Sequence, residues 1–214
     1  MAHVPPPPST PQLAAWTGAF GDAYVERNAP TPTIQRDRVR AFASILRHTD
    51  GDPPQSILEC GCNVGLNLRA LGAMSGAELF AIEPNARARA TVLKDAVVEP
   101  TRLHEATLAA LPFADRSIDL VFTCGVLIHV APPDLDRALD EVHRVARKYV
   151  LAIEYFSQQP EEAPYRGHGG LLWKRDFGLA YLERFPDLSV IEVGFLWKPT
   201  SGWDDATWWL FRKG

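Results

Sequence analysis

Two cysteines flank a glycine in the stretch SILECGCNVGLNLRAL, residues 56–71. A thiol pair invites a metal or redox reading, yet Cys60 and Cys62 have only Cys124 and scattered histidines to join them, with no C-x-x-C spacing. No metal site is expected. A second pattern lies on the same residues, Glu59-x-Gly61-x-Asn63-x-Gly65. Glycine at a strand-to-helix turn lets the backbone approach a ligand without a Cβ in the way. The dinucleotide fingerprint G-x-G-x-x-G would need glycine where Asn63 and Leu66 stand, so a pyrophosphate grip is not encoded. A further acid, Glu83, ends the next apolar run, LFAIEPN, 24 residues beyond Glu59. A carboxylate at that place can accept both hydroxyl protons of a ribose.

These residues need elements to hold them. From Ser56 onward, strand-like SILEC, ELFAIEP, RLHEA, IDLVFTCG and KYVLAIEYF alternate with helical VGLNLRALGAM, NARARATVLKDAV and DLDRALDEVHRVAR, the last opened by APPD. Strands that read as continuous apolar runs between helices indicate a parallel sheet covered on both faces. The fold class expected is α/β, a doubly wound, Rossmann-like, mostly parallel seven-stranded sheet. LSVIEVGFLW and ATWWLFRKG would end it as an antiparallel hairpin, with Trp208 and Trp209 on opposite faces. Ahead of the sheet, PQLAAWTGAFGDAYVERN reads as one imperfect helical segment. TIQRDRVRAFASILRH follows as an amphipathic helix on Ile34, Val39, Phe42, Ile45 and Leu46. The proline-rich residues 1–12 read as a disordered arm and 13–214 as a single domain, with helices over 13–50 as a cover and a polar insertion over 157–178.

Composition narrows the function. With 46% apolar residues in 214, the chain can fill one sizeable core. Twenty-two basic against 26 acidic residues, with no basic stripe among aromatics, make nucleic acid a poor partner. No apolar run approaches the roughly 20 residues that span a bilayer, and the start MAHVPPPPSTPQ lacks a secretory pattern. A cytoplasmic monomer or homodimer acting on a small molecule, away from membranes, is the expectation.

The Glu59 to Gly65 pattern resembles the first motif of class I S-adenosylmethionine-dependent methyltransferases, an acid followed by G-x-G-x-G, with Asn63 in place of the middle glycine. The stretch EATLAALPFADRSIDLVFTCGVLIHV, residues 105–130, resembles the segment that grips adenine in those enzymes. What the resemblance implies is S-adenosylmethionine as cofactor. Glu59 would serve its cationic end, Glu83 the ribose, Thr107 the adenine amino group and Leu108 a backbone N–H. Cys124 and Gly125 would border the methionine part. From about Trp16 to Lys213, the pieces AWTGAFGDAYVERN, GVLIHV, PYRGH, LWKRDF and DDATWWLFRK resemble the pseudaminic acid biosynthesis-associated methylases. That likeness implies methylation of a polar, anionic small molecule such as an acidic sugar or a related biosynthetic intermediate, on oxygen or nitrogen. It marks Tyr24 and Arg27 for the cofactor, Tyr24 by cation–π attraction to the sulfonium, and Trp16 and Phe20 as packing residues.

Methyl transfer is an in-line displacement, so alignment and exclusion of water matter most, and a general base helps only some acceptors. Candidates beside the methyl are His129, Glu154, Tyr155 and His168. Tyr165, Arg166, Lys174 and Asp204 are candidates for binding the substrate, Arg166 and Lys174 by gripping an anion. A nicotinamide-dependent oxidoreductase on a similar fold and a non-catalytic cofactor-binding protein are the competing readings.

Overall fold

The computed structural model describes residues 10–214, so the arm predicted over 1–12 lies outside it as far as residue 9. At Pro11 helix already begins. Thr10 caps α1 (Pro11–Thr17) by accepting the Leu13 N–H at 3.1 Å, and proline at the first helical position has no N–H to leave unpaired. Gly18 is extended, with φ −103° and ψ −156°, and splits the single segment predicted here into α1 and α2 (Ala19–Arg27). Thr31 caps α3 (Pro32–Leu46) in the same way as Thr10, through the Ile34 N–H.

The alternating region folds as its pattern predicts. β1 (Ser56–Cys60), α4 (Leu66–Met74), β2 (Glu78–Ile82), α5 (Ala86–Lys94), β3 (Leu103–His104), β4 (Ile118–Cys124), α6 (Pro132–Val145) and β5 (Ala146–Glu154) follow in order. Two short strands, β6 (Glu161–Glu162) and β7 (Trp173–Lys174), pair within the insertion. Then come α7 (Phe177–Arg184), β8 (Leu188–Leu196), α8 (Lys198–Ser201) and β9 (Ala206–Lys213). The main sheet runs β3-β2-β1-β4-β5-β9-β8, with β1 to β5 parallel and β9 antiparallel to both its neighbours. The terminal hairpin therefore enters folded back, its last strand inside the sheet and β8 at the edge.

Two apolar layers sandwich this sheet. On one face Leu135, Leu139 and Val142 of α6 and Phe177 and Tyr181 of α7 pack on Leu58, Val121, Val150 and Phe211. On the other, Phe42 and Ile45 of α3 and Leu68 and Leu71 of α4 pack on Ile57, Leu120, Phe122 and Leu151. Crossovers after β1 and after β4 leave to opposite faces, which opens a crevice beyond the carboxyl ends of these neighbouring strands. Among the described residues no helix is long and apolar enough to cross a membrane.

The adjacent tryptophans divide between the two layers, Trp209 with α7 and Trp208 with α3, as strand alternation requires. Each rests on a glycine. A Cβ built on Gly178 would stand 2.2 Å from Trp209 Nε1, and one on Gly194 2.4 Å from Trp208. Gly178→Ala should therefore overpack the buried α7 side by about 1–3 kcal/mol. A thermal melt should show a loss of roughly 2–4 °C for each kcal/mol, while Gly194→Ala on the edge strand should lose less.

Candidate cofactor and acceptor site

After Cys60 the chain passes through three left-handed residues, Gly61 at φ +76°, Asn63 at +48° and Gly65 at +75°. The Gly61 and Cys62 N–H groups donate to the Ile82 carbonyl of β2 at 2.9 and 3.1 Å, pinning the loop over the neighbouring strand. A Cβ on Gly61 would meet Val126 at 2.8 Å and one on Gly65 would meet Val97 at 2.9 Å, so positive φ and close approach both call for glycine. Asparagine is among the few other residues that tolerate this conformation. The Asn63 N–H donates to Glu83 Oε2 at 2.7 Å, and Glu83 Oε1 accepts the Asn85 N–H at 2.8 Å. Glu83 thus ties the loop to the end of β2. Burial raises its pKa against the pull of these two N–H groups, and each oxygen keeps a lone pair for a hydroxyl.

Glu59, the acid at the end of β1, is 2% exposed. Its Oε1 accepts the Asn67 side-chain N–H at 2.6 Å, whereas Oε2 is buried without a hydrogen-bond partner. Burial pushes its pKa up to about 8. Arg38 of α3 donates to the other end of the Asn67 amide, lies 4.4 Å over the Trp203 ring and leaves its own Nε buried and unpaired. Both groups line a cavity of about 280 Å³ together with Asn63, Glu83, Thr107, Leu108, Cys124 and Gly125. An orphaned carboxylate oxygen and an orphaned guanidinium N–H at one site fit a ligand end that carries both an ammonium and a carboxylate. The amino-acid part of S-adenosylmethionine is such an end.

Arg38 and Asn67 were not foreseen, because both sit within helical patterns that the apolar residues around them explain. Trp16 also differs from expectation: it lines the cavity instead of serving only as packing, with Tyr24 edge-on at 5.3 Å and His129 at 4.5 Å between ring centres. The Asn85 amide, which caps α5, holds the Trp16 carbonyl at 3.0 Å.

A second cavity of about 180 Å³ adjoins the first, and Tyr24, Asn28, Cys124, Gly125 and His129 line both. Tyr155, Tyr165, Arg166 and Asp204 join them, from three separate parts of the chain. Arg27 belongs here as well and does not reach the cofactor cavity, because the last turn of α2 carries it outward over the Tyr24 ring. His129 Nδ1 lies 2.5 Å from the Leu171 carbonyl, so that nitrogen must carry the proton and Nε2 is left as an acceptor. Burial lowers its pKa to about 4 and keeps the ring neutral.

Four candidates fall outside both cavities, Glu154, His168, Lys174 and Gly65. Glu154 is fully buried and accepts the N–H groups of Val126, Leu127 and Ile128 at 3.2, 3.2 and 3.4 Å, fixing the turn after β4 from beneath. Burial raises its pKa to about 7 even so. His168 is exposed in a tight turn whose backbone pairs with Tyr165, and its ring meets only the outer edge of Phe20. Lys174 stands on β7 opposite Glu161. Gly65 shapes the loop at the start of α4 without lining the cavity. Cys60 and Cys62 are buried thiols whose pKa is pushed up by desolvation, which suits filling of the core.

Comparison with known proteins agrees with this geometry. Residues 58–153 match the family described as "Methyltransferase domain". Botryococcene C-methyltransferase of Botryococcus braunii is 30% identical over 132 residues, covering 56% of this chain and 34% of that protein. The chain spans about a third of the length of the curated relatives it matches. Among solved structures, 1,6-didemethyltoxoflavin-N1-methyltransferase of Burkholderia thailandensis, with S-adenosylhomocysteine bound, superposes with a TM-score of 0.69 at 17% identity over 99% of this chain and 94% of that one. The magnesium protoporphyrin IX methyltransferase of Synechocystis, with S-adenosylmethionine bound, gives 0.64 at 14% identity over 97% and 99%. Residues 58–153 are thus similar to a methyltransferase domain, and the whole described chain has the α/β Rossmann-like fold that these methyltransferase structures share.

Proposed function

We propose that the protein transfers the methyl group of S-adenosylmethionine to a polar, anionic small molecule, an acidic sugar or a related biosynthetic intermediate. The observation that carries this reading is the buried, unpartnered Oε2 of Glu59 beside Arg38. It asks for a ligand whose ammonium meets the carboxylate and whose carboxylate meets the guanidinium. Glu83 takes the ribose hydroxyls, and Thr107 and Leu108 border the adenine. Tyr24, which lines the cavity, is the ring assigned to the sulfonium by cation–π attraction. The cofactor supplies an activated methyl group. The chain supplies alignment and a dry site, closed by the clustered rings of Trp16, Phe20 and Tyr165, which meet edge-on or tilted. A nicotinamide dinucleotide would bring its pyrophosphate over a loop that carries Asn63 and Leu66 where its fingerprint has glycine.

Proton linkage tests the reading. Below about pH 8 Glu59 is protonated in the free protein, whereas a bound ammonium favours its ionised form. Binding must then expel a proton, so affinity rises with pH from 6 towards 8 and levels off above. Calorimetric titration with S-adenosylhomocysteine in phosphate and in Tris at pH 7 should show release of close to one proton. Glu59→Gln should abolish the release, and a buffer-independent heat in the parent protein would overturn the assignment. Glu83→Ala should weaken S-adenosylhomocysteine more than tenfold, because hydrogen bonds to a charged group are worth about 1.5–3 kcal/mol each. NAD should not bind either protein.

A further inference from the structure

The second cavity offers donors and no ready base. Arg27 and Arg166 are exposed at its mouth, each guanidinium resting near an aromatic ring, Tyr24 at 5.5 Å and Tyr165 at 5.7 Å. Among the described residues neither is paired with a carboxylate, while Arg69, Arg144, Arg147 and Arg184 all are. The single acid in the lining, Asp204, is already engaged by Lys198 Nζ at 2.9 Å and the Tyr155 hydroxyl at 3.1 Å. His129 spends its Nδ1–H on Leu171 and is packed by Trp16 and Tyr165, surroundings that disfavour an imidazolium. The phenols of Tyr24 and Tyr155 are also pushed up by burial, so neither ionises to accept a proton; Tyr24 can donate a hydrogen bond, while the Tyr155 hydroxyl already donates to Asp204. Glu154 is sealed behind three backbone N–H groups and His168 stands outside.

A cavity of this kind attracts an anion, and its one neutral acceptor, His129 Nε2, lies in surroundings that disfavour the imidazolium a hydroxyl proton would make. We infer that the acceptor is a small carboxylic acid, drawn in by Arg27 and Arg166 and methylated on its carboxylate oxygen to give a methyl ester. The inference rests on the proposed use of S-adenosylmethionine. In that step a lone pair of the carboxylate oxygen forms the new O–C bond, the S–C bond breaks, and its electron pair remains on sulfur. No proton moves. One negative and one positive charge become two neutral groups, a change that a desolvated cavity favours because both reacting ions lose their water before reaction and the products need little.

The experiment uses the full chain loaded with S-adenosylhomocysteine, whose own binding is measured first by calorimetry. Gluconate, benzoate and N-acetylneuraminate are then titrated in, each beside its methyl ester. At least one acid should bind while its ester does not, and Arg27→Ala and Arg166→Ala should each weaken that acid at least fivefold. With methyl-labelled S-adenosylmethionine, the label transferred to that acid should be released as volatile methanol by mild alkali. Label held in an alkali-stable product, or loaded protein that binds none of the acids, overturns the inference and leaves the cofactor reading standing. Failure of S-adenosylhomocysteine itself to bind would sink both.

Discussion

A carboxylate buried at the end of the central strand, with one oxygen unpartnered, is the constraint around which the site is arranged. Burying a polar group without a hydrogen-bond partner costs about 1–3 kcal/mol, and burial keeps Glu59 neutral below about pH 8, so it is held at the expense of stability and must be carried by the core around it. That core is available because β1 lies in the middle of the sheet, with Ile57, Leu58 and Cys60 fully buried beside it. Asn67 relays between Glu59 and Arg38, so the acid and the base are held apart by an amide and neither cancels the other. A direct ion pair would be more comfortable and would leave nothing for a zwitterion to bind.

Glu154 shows the opposite use of the same side chain. It too ends a central strand and is fully buried, yet three successive backbone N–H groups converge on it and it faces no cavity. Its work is mechanical. It holds the turn that carries Val126 against Gly61 and His129 between the two cavities, so the cofactor loop and the acceptor wall share one support. The cover is shared in the same manner: Tyr24 lines both cavities, Trp16 lines the first, and Phe20 and Trp16 pack at a tilt against Tyr165 of the insertion. Gln12 adds a hydrogen bond from α1 to the Gly170 carbonyl. Anything that shifts the insertion is felt by the helices over the cofactor.

Much of this was legible in the sequence where one local rule dominates. Apolar runs with helical segments between them gave a parallel sheet, and positions needing left-handed backbone were marked by Gly61 and Gly65. Where the outcome depends on what a distant segment does, the residues alone are mute. Glu59 and Glu154 have the same setting, an acid after an apolar strand, and only the direction of the following turn puts one in the cavity lining and makes the other an anchor. His168, among glycines, suggested a catalytic lid, but the left-handed Gly167 and Gly170 on either side turn it to solvent. Gly18 broke a helix that its neighbours favoured. Arg38 and Asn67 were hidden because a polar residue on a helix usually faces water.

The two cavities differ in how they are built, and that difference explains why one chemistry could be read and the other had to be inferred. The cofactor cradle comes mainly from strand ends and turns within residues 59–125, inside the span that matches the methyltransferase domain. Its geometry is fixed by the sheet itself. The acceptor cavity is assembled from α2, the turn after β4, the end of β5, the insertion and the loop before β9, with Arg27 and Asp204 nearly the whole chain apart. Each of these segments can change length or charge without disturbing the strand order. On the proposed reading, substrate choice resides in pieces that the core tolerates but does not dictate, and the guanidiniums of Arg27 and Arg166, unpaired among the described residues, say more about the acceptor than the sheet does.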